Sequence, residues 1–253
     1  MERWEPVSTG HTDAVVRRSR DGRAYAKTGT GPVREELLGE RDRLLWLATT
    51  DLPAPEVLDW EDDEETATLV TAALPGVPIS ALPATAAAGG VKTLGAFLRR
   101  LHAVDRESCP FERWLAVTVP LARVNVDHGL VDEDDFDPER EDDSAAALLE
   151  DLLARRPRAE ELEVGDLVVC HGDACLPNVL VDPATLEVTG IVDVGRLGVA
   201  DRHLDLALAA RSVSDTSLNP AYGPAAAEAM LAAYGLPADP WRLDFYRLLD
   251  EFF

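Results

Sequence analysis

Basic residues are scarce in this chain. Its 24 lysines and arginines stand against 47 aspartates and glutamates, a net charge of −23 over 253 residues. So acidic a surface repels phosphate backbones, and no nucleic-acid partner is expected. Cysteine is sparse as well. The three cysteines, Cys109, Cys170 and Cys175, form no Cys-x-x-Cys pair. That pattern fits a reducing compartment, where free cysteine packs as a small hydrophobe. Met1-Glu-Arg-Trp-Glu-Pro6 has neither an apolar segment nor a cleavage site, so no signal peptide is expected. A long apolar run is also lacking. The longest uncharged stretch, 66–91, is broken by Pro75, Pro78 and Pro83 and by Gly76, Gly89 and Gly90. A membrane helix with those breaks would leave backbone groups unsatisfied. The expectation is a cytoplasmic protein with no membrane partner, a monomer or weak dimer. Its 46% hydrophobic content is ordinary for a folded chain, so the charge does not signal disorder.

The first ~70 residues read as β structure with one helix. Ala14-Val15-Val16 and Ala24 to Lys27 are short strands around the turn signal Asp21-Gly22. From Val33 to Ala48, leucines recur at helical spacing after Pro32, and Pro53 and Pro55 lie beyond the helix end. Val57-Leu58 and Ala67 to Val70 read as further strands. The remainder is mainly helical: 84–104, 119–130, 144–154, 203–211, 224–234 and 240–250 carry helical patterns. Leu167 to Cys170 is a wholly apolar run and so a buried strand. Val179 to Val181 and Val188 to Val192 read as a hairpin. The fold class expected is α+β and bilobal. A small β-rich N-lobe would span 1–73 and a larger, mostly helical C-lobe 74–253.

The segment richest in chemistry is His171-Gly-Asp-Ala-Cys-Leu-Pro-Asn178, with Ile191-Val-Asp193-Val-Gly195 fifteen residues later. His-x-Asp-x₄-Asn is the spacing of the protein-kinase catalytic loop, and Asp193-Val-Gly195 stands where that template has Asp-Phe-Gly. Asn178 and Asp193 offer the hard oxygen ligands that Mg²⁺ prefers. Asp173 would receive or orient the attacking hydroxyl. Lys27, at the end of an apolar strand, suits a cation on the α- and β-phosphates of ATP, and Glu35, Glu36 or Glu40 on the next helix could hold it in place. Ser8-Thr9-Gly-His-Thr12 offers backbone N–H groups and hydroxyls for phosphate, with one glycine in place of three.

These motifs resemble those of the aminoglycoside 3′-phosphotransferases, antibiotic-resistance kinases with a protein-kinase-like fold. The resemblance rests on 171–178, on Thr189 to Arg202 with its Gly-Arg-Leu-Gly-Val-Ala-Asp-Arg run, and on Asp205-Leu-Ala-Leu208. Gly129-Leu-Val-Asp132 and the ending Phe245 to Phe253 also carry it. It implies Asp173 as the catalytic aspartate and Asn178 and Asp193 as the metal ligands. Glu40-x-Asp-x-x-Leu-Trp-Leu47 resembles the helix that bears the paired glutamate, which selects Glu40. Ala72 and Leu74 would bond adenine through their backbone. Asp135, Asp137, Arg196, Arg211, Asp215, Glu251 and the terminal carboxylate of Phe253 would line the aminoglycoside site.

The acidity suits a polycationic substrate. Residues 132–143 hold nine carboxylates and one arginine. A charge run is usually a solvated loop. Exposed ion pairs contribute only ~0–1 kcal/mol each, while the Coulomb term rises to ~4 kcal/mol at 4 Å in a partly enclosed site. Tight binding therefore requires this segment to close over the drug. The expected function is ATP- and Mg²⁺-dependent phosphorylation of the 3′-hydroxyl of kanamycin- or neomycin-class antibiotics, conferring resistance. A macrolide, choline or methylthioribose kinase on the same fold is the alternative. A catalytically dead binding module would lack one of Lys27, Asp173, Asn178 and Asp193, and all four are present.

Overall fold

The computed structural model describes residues 4–7 and 14–253. In chain order it holds β1 (Trp4–Pro6), β2 (Val15–Ser19), β3 (Ala24–Thr30), α1 (Pro32–Leu47), β4 (Val57–Asp62), β5 (Thr66–Ala72) and β6 (Val77–Pro78). There follow α2 (Ala84–Leu101), α3 (Leu115–Asp127), α4 (Ala145–Glu163) and β7 (Leu167–Cys170). The chain then forms β8 (Val179–Val181), β9 (Val188–Ile191), β10 (Gly198–Asp201), α5 (His203–Ser214), α6 (Pro224–Tyr234) and α7 (Pro240–Asp250). No helix among the described residues is long and apolar enough to cross a membrane.

The chain divides into two compact units. One comprises Met1–Leu82 with Pro177–Arg196, the other Pro83–Leu176 with Leu197–Phe253. The stretch from Pro177 to Arg196 thus returns to the first unit, carrying Asn178 and Asp193 with it.

The first unit is built on an antiparallel sheet in the order β1-β2-β3-β5-β4. Pro32 opens α1, its fixed φ suited to a first helical turn. The helix buries Leu37, Leu44 and Leu47, and Ala26, Ala67 and Leu69 are buried on the sheet strands. A second sheet, β6-β8-β9, ties the chain after β5 to the hairpin formed by 177–196. Gly76 sits at φ 98, where a side chain would strike the Val181 carbonyl, so the close approach requires glycine. Thr189 Oγ1 donates to the Pro75 carbonyl at 2.6 Å, fastening the same turn from the other side.

The second unit is helical around the two-stranded sheet β7-β10. Its core gathers Leu115 and Val119 of α3, Leu148 and Leu152 of α4, Leu204 and Leu208 of α5, and Phe245, Leu248 and Leu249 of α7. Two helices depart from the sequence expectation. The sequence pattern places the start of α3 near 119, yet the helix begins at Leu115. The Glu163 carboxylate accepts the Leu115 N–H at 3.1 Å and caps α3 from a remote helix. α4 continues past its expected end at 154 to Glu163, with Pro157 inside it. Leu152 and Ala159, on either side of that proline, are both buried in the core, and this packing outweighs the hydrogen bond that proline removes.

Candidate active site

In the first unit, β3 places Lys27 at 22% side-chain exposure facing α1. Its ammonium donates to both Glu40 oxygens at 2.9 Å and also to Asp193 Oδ1. Among Glu35, Glu36 and Glu40, only Glu40 is buried, at 9% exposed. Burial opposes the charge on Lys27, but the carboxylates of Glu40 and Asp193 outweigh it and hold its pKa above the ordinary lysine value.

Asp193 follows β9 at φ 55, one of three non-glycine residues at positive φ among those described. Aspartate tolerates that region better than most side chains, and a residue held there at a turn reads as functional. Asn178 lies alongside. The Val192 N–H donates to the Asn178 carbonyl at 3.0 Å, and Val179 pairs with Ile191 in the hairpin. The hairpin register thus brings an amide oxygen and a carboxylate together at one end. That donor set is all hard oxygen, as Mg²⁺ requires, and the Asp193 side chain is 54% exposed. Arg196 ends the short 3₁₀ turn 194–196 in the same unit.

Ala72 ends β5. Its N–H donates to the Glu56 carbonyl at 2.8 Å and is therefore already engaged. Leu74 packs its side chain onto Gly190, where any Cβ would collide with it. Ser8 and Thr9 lie outside the described residues.

In the second unit, β7 runs into His171-Gly172-Asp173. Gly172 adopts φ 84, and the turn is held by one buried carboxylate. Asp205, fully buried on α5, accepts the His171 N–H at 2.7 Å and the Gly172 N–H at 2.8 Å. Burial works against its charge. The His102 ring, whose Nε2 lies 3.1 Å away, and the two amides overcome this and keep its pKa below the usual range. The other nitrogen of His102 lies 2.9 Å from the Tyr234 hydroxyl. Asp173 itself is half-buried. Its N–H donates to His171 Nδ1 at 3.2 Å, and its carboxylate accepts from the Cys175 thiol. One turn on, the Leu176 N–H donates to Ser212 Oγ at 3.1 Å. Residues seven apart on α5 therefore hold both ends of the loop.

The roles of Asp205 and Ser212 are absent from the sequence reading. Asp205 lies within the Asp-Leu-Ala-Leu motif, but its backbone partners exist only after folding. His102 stands at the C-cap of α2 and also supports Asp205.

The expected substrate acids divide by environment. A cavity of about 120 Å³ in this unit is lined by Asp135, Arg211, Glu251 and Phe253, with Asp132 and Asp250. Asp135 is exposed. Asp137 is 5% exposed, and its carboxylate meets Arg140, Arg211 and Arg247. Glu251, 9% exposed, accepts the Asp137 N–H at 3.2 Å. Burial, then the Asp137 charge, pushes its pKa from 4.5 up to about 7, against the pull of Arg211 and Arg140. Asp215 is turned to local use, accepting from the Ser217 hydroxyl at 2.5 Å and from the Ser217 N–H at 2.8 Å.

Residues 3–246 match the model of a phosphotransferase enzyme family. The chain is 43% identical over 260 residues to an aminoglycoside 3′-phosphotransferase of Streptomyces fradiae, covering 99% of this chain and 95% of that one. It is 46% identical to a crystal structure of aminoglycoside-3′-phosphotransferase of type VIII, with a TM-score of 0.90 over 99% of this chain and 93% of that one. A 3″-type aminoglycoside phosphotransferase of Streptomyces rimosus ATCC10970, solved with ADP and streptomycin, is 36% identical. Its TM-score is 0.86 over 98% of this chain and 92% of that one.

Proposed function

Because this chain belongs to the aminoglycoside phosphotransferases, with their kinase-like α+β fold, we propose that it transfers the γ-phosphoryl group of ATP to the 3′-hydroxyl of kanamycin- or neomycin-class aminoglycosides, and so confers resistance. The first unit serves the nucleotide and the second the acceptor. The observation that carries the kinase reading is Lys27, kept charged by Glu40 and Asp193 in a chain of net charge −23. An anionic nucleotide needs a local cation here, and this is a fixed one. Overall identity does not choose the position, because a streptomycin 3″-kinase of Streptomyces griseus is 40% identical. The 3′ reading rests on the Gly-Arg-Leu-Gly run at 195–198 and the Leu-Asp-Glu-Phe-Phe ending.

In this reading Lys27 binds the α- and β-phosphates, and Glu40 sets its direction. Asn178 and Asp193 would hold Mg²⁺, which supplies positive charge to the phosphates when bound. Asp173 orients the acceptor hydroxyl in line with the γ-phosphate. A carboxylate is a weak base beside an alcohol, so Asp173 takes the proton late, as the O–P bond forms and the hydroxyl becomes acidic. Asp205 and Ser212 hold the loop so that Asp173 loses no bond energy to reorientation. Acids that line the cavity of the second unit, Asp132 and Asp135 among them, bind the ammonium groups of the drug.

The test is ADP release from ATP with three drugs. Kanamycin should support turnover. Tobramycin, which lacks a 3′-hydroxyl, and streptomycin should not. Turnover of streptomycin alone would reassign the enzyme to the 3″ class. Silence with all three from folded protein would move it to another small-molecule kinase.

A further inference from the structure

The geometry points to Asp137 as a positioning residue of the substrate site: it anchors the acidic segment 132–143 to α5 and α7, and does not itself bind the ammonium groups of the drug. This rests on the acceptor assignment above, and it departs from the role that the sequence resemblance implies for Asp137.

Four guanidinium nitrogens lie within 3.4 Å of its two oxygens. Arg211 Nε is 2.6 Å from Oδ1, while Arg247 Nη2 at 2.8 Å, Arg247 Nε at 3.1 Å and Arg140 Nη1 at 3.4 Å meet Oδ2. Three of these donors fall on Oδ2 and one on Oδ1, and at 5% exposure the carboxylate is neutralised by arginines before any drug arrives. The donors come from three places: the segment itself, α5 and α7. The Asp137 N–H closes the arrangement from the backbone by donating to Glu251, the residue that follows α7, at 3.2 Å. Phe136, the preceding residue, is 8% exposed and packs in the helical core.

A drug ammonium that bound Asp137 directly would have to expel a forked arginine from a buried carboxylate. Removing one partner from a buried pair leaves an uncompensated charge, which is strongly unfavourable. Asp132 and Asp135 are instead exposed and line the cavity. Fastening the segment at its one buried acid turns these outer acids toward the cavity and holds them there against their mutual repulsion. The buried, arginine-bound carboxylate is therefore the fixed point, and its exposed neighbours are the ligands.

The test uses full-length protein and two kinds of readout. Amide exchange over residues 131–144 is measured without drug, and KM for kanamycin is measured with saturating ATP and Mg²⁺. Asp137→Asn should accelerate exchange in the segment about tenfold and raise the drug KM while leaving the ATP KM unchanged. Asp135→Asn should raise the drug KM about tenfold, the scale of one lost charge partner, with exchange unchanged. Arg247→Gln gives the decisive sign, and it serves if Asp137→Asn does not fold. An anchor weakened by this change loosens the segment and raises KM. A drug-binding Asp137 would be released by it, and KM would fall with exchange unmoved, which overturns the proposal. Unchanged exchange in both Asp137→Asn and Arg247→Gln overturns it as well. If the wild type turns over no aminoglycoside, the functional reading fails, while the exchange data still decide whether Asp137 is an anchor.

Discussion

Replacing Glu251 by glutamine removes a carboxylate that the fold resists ionising. Its pKa is raised from 4.5 to about 7, burial being the first cause and the neighbouring Asp137 the second. The sign follows from linkage. A group whose folded pKa lies above its unfolded value binds its proton more tightly when folded. Its contribution to stability is fully present below the unfolded pKa of 4.5 and is lost as pH rises through about 7. At ~1.4 kcal/mol per pKa unit, ionised Glu251 costs up to about 3 kcal/mol above pH 8. Glutamine avoids that cost and keeps an oxygen to accept the Asp137 N–H. The assay is thermal unfolding of both proteins from pH 5 to pH 9. The variant should gain on the wild type as pH rises, by several degrees in Tm at ~2–4 °C per kcal/mol for a chain of this size. The same proton should matter for the drug. As pH falls below about 7 the wild type loses a pocket charge, so its drug KM should rise, beyond any change that the drug amines produce in the variant. A Tm difference that stays flat from pH 5 to pH 9 would refute the reasoning. It would mean that Arg140 and Arg211 keep Glu251 ionised throughout.

Other outcomes follow from single contacts. Asp173→Asn should lower kcat by 10³-fold or more (roughly, for loss of a group that both positions and accepts a proton), with drug binding by calorimetry unchanged. Asp205→Ala leaves the buried His171 and Gly172 amides without an acceptor. It should cost about 2–3 kcal/mol in denaturant melts and lower kcat more than either KM, whereas equal losses in both would make it purely structural. Glu40→Gln should raise the KM for ATP about tenfold and spare the drug KM, read in steady-state kinetics. Gly95→Val should destabilise by about 1–3 kcal/mol in thermal melts, because a Cβ there meets the Met230 carbonyl of α6.

The parts of the site that a reader of the sequence can find are those whose partners lie nearby in the chain. His171 to Asn178 and Asp193 declare themselves by spacing, and the hairpin that unites Asn178 with Asp193 is visible as two apolar runs around Pro183. The Gly198–Asp201 strand is less visible, because glycine and alanine give it little β character, and it forms only by pairing with β7. The start of α3 is hidden because its cap, Glu163, comes from 48 residues away. Asp137 shows the limit most clearly. Read along the chain it is one acid among the nine in 132–143, and nothing local separates it from Asp135. What separates them is two arginines 74 and 110 residues on, together with Arg140.

That difference alters how the net charge should be understood. A count of −23 treats every carboxylate as equivalent, yet Asp137 and Asp205 are buried and each is held by several donors. Such acids shape loops and contribute little to the field outside the protein. The field that draws a polycation comes from the exposed remainder, of which Asp132 and Asp135 are examples. Lys27 reverses the argument on the nucleotide side, where two acids serve to fix a cation. If this division holds, raising the salt concentration should slow capture of the drug through the exposed acids. Segment 132–143 should stay in place, because the pairs that hold it are largely withdrawn from solvent. Association rates should therefore fall with salt while the amide-exchange protection of 131–144 does not. A parallel fall in both would show that the anchor is as exposed to screening as the acids it presents.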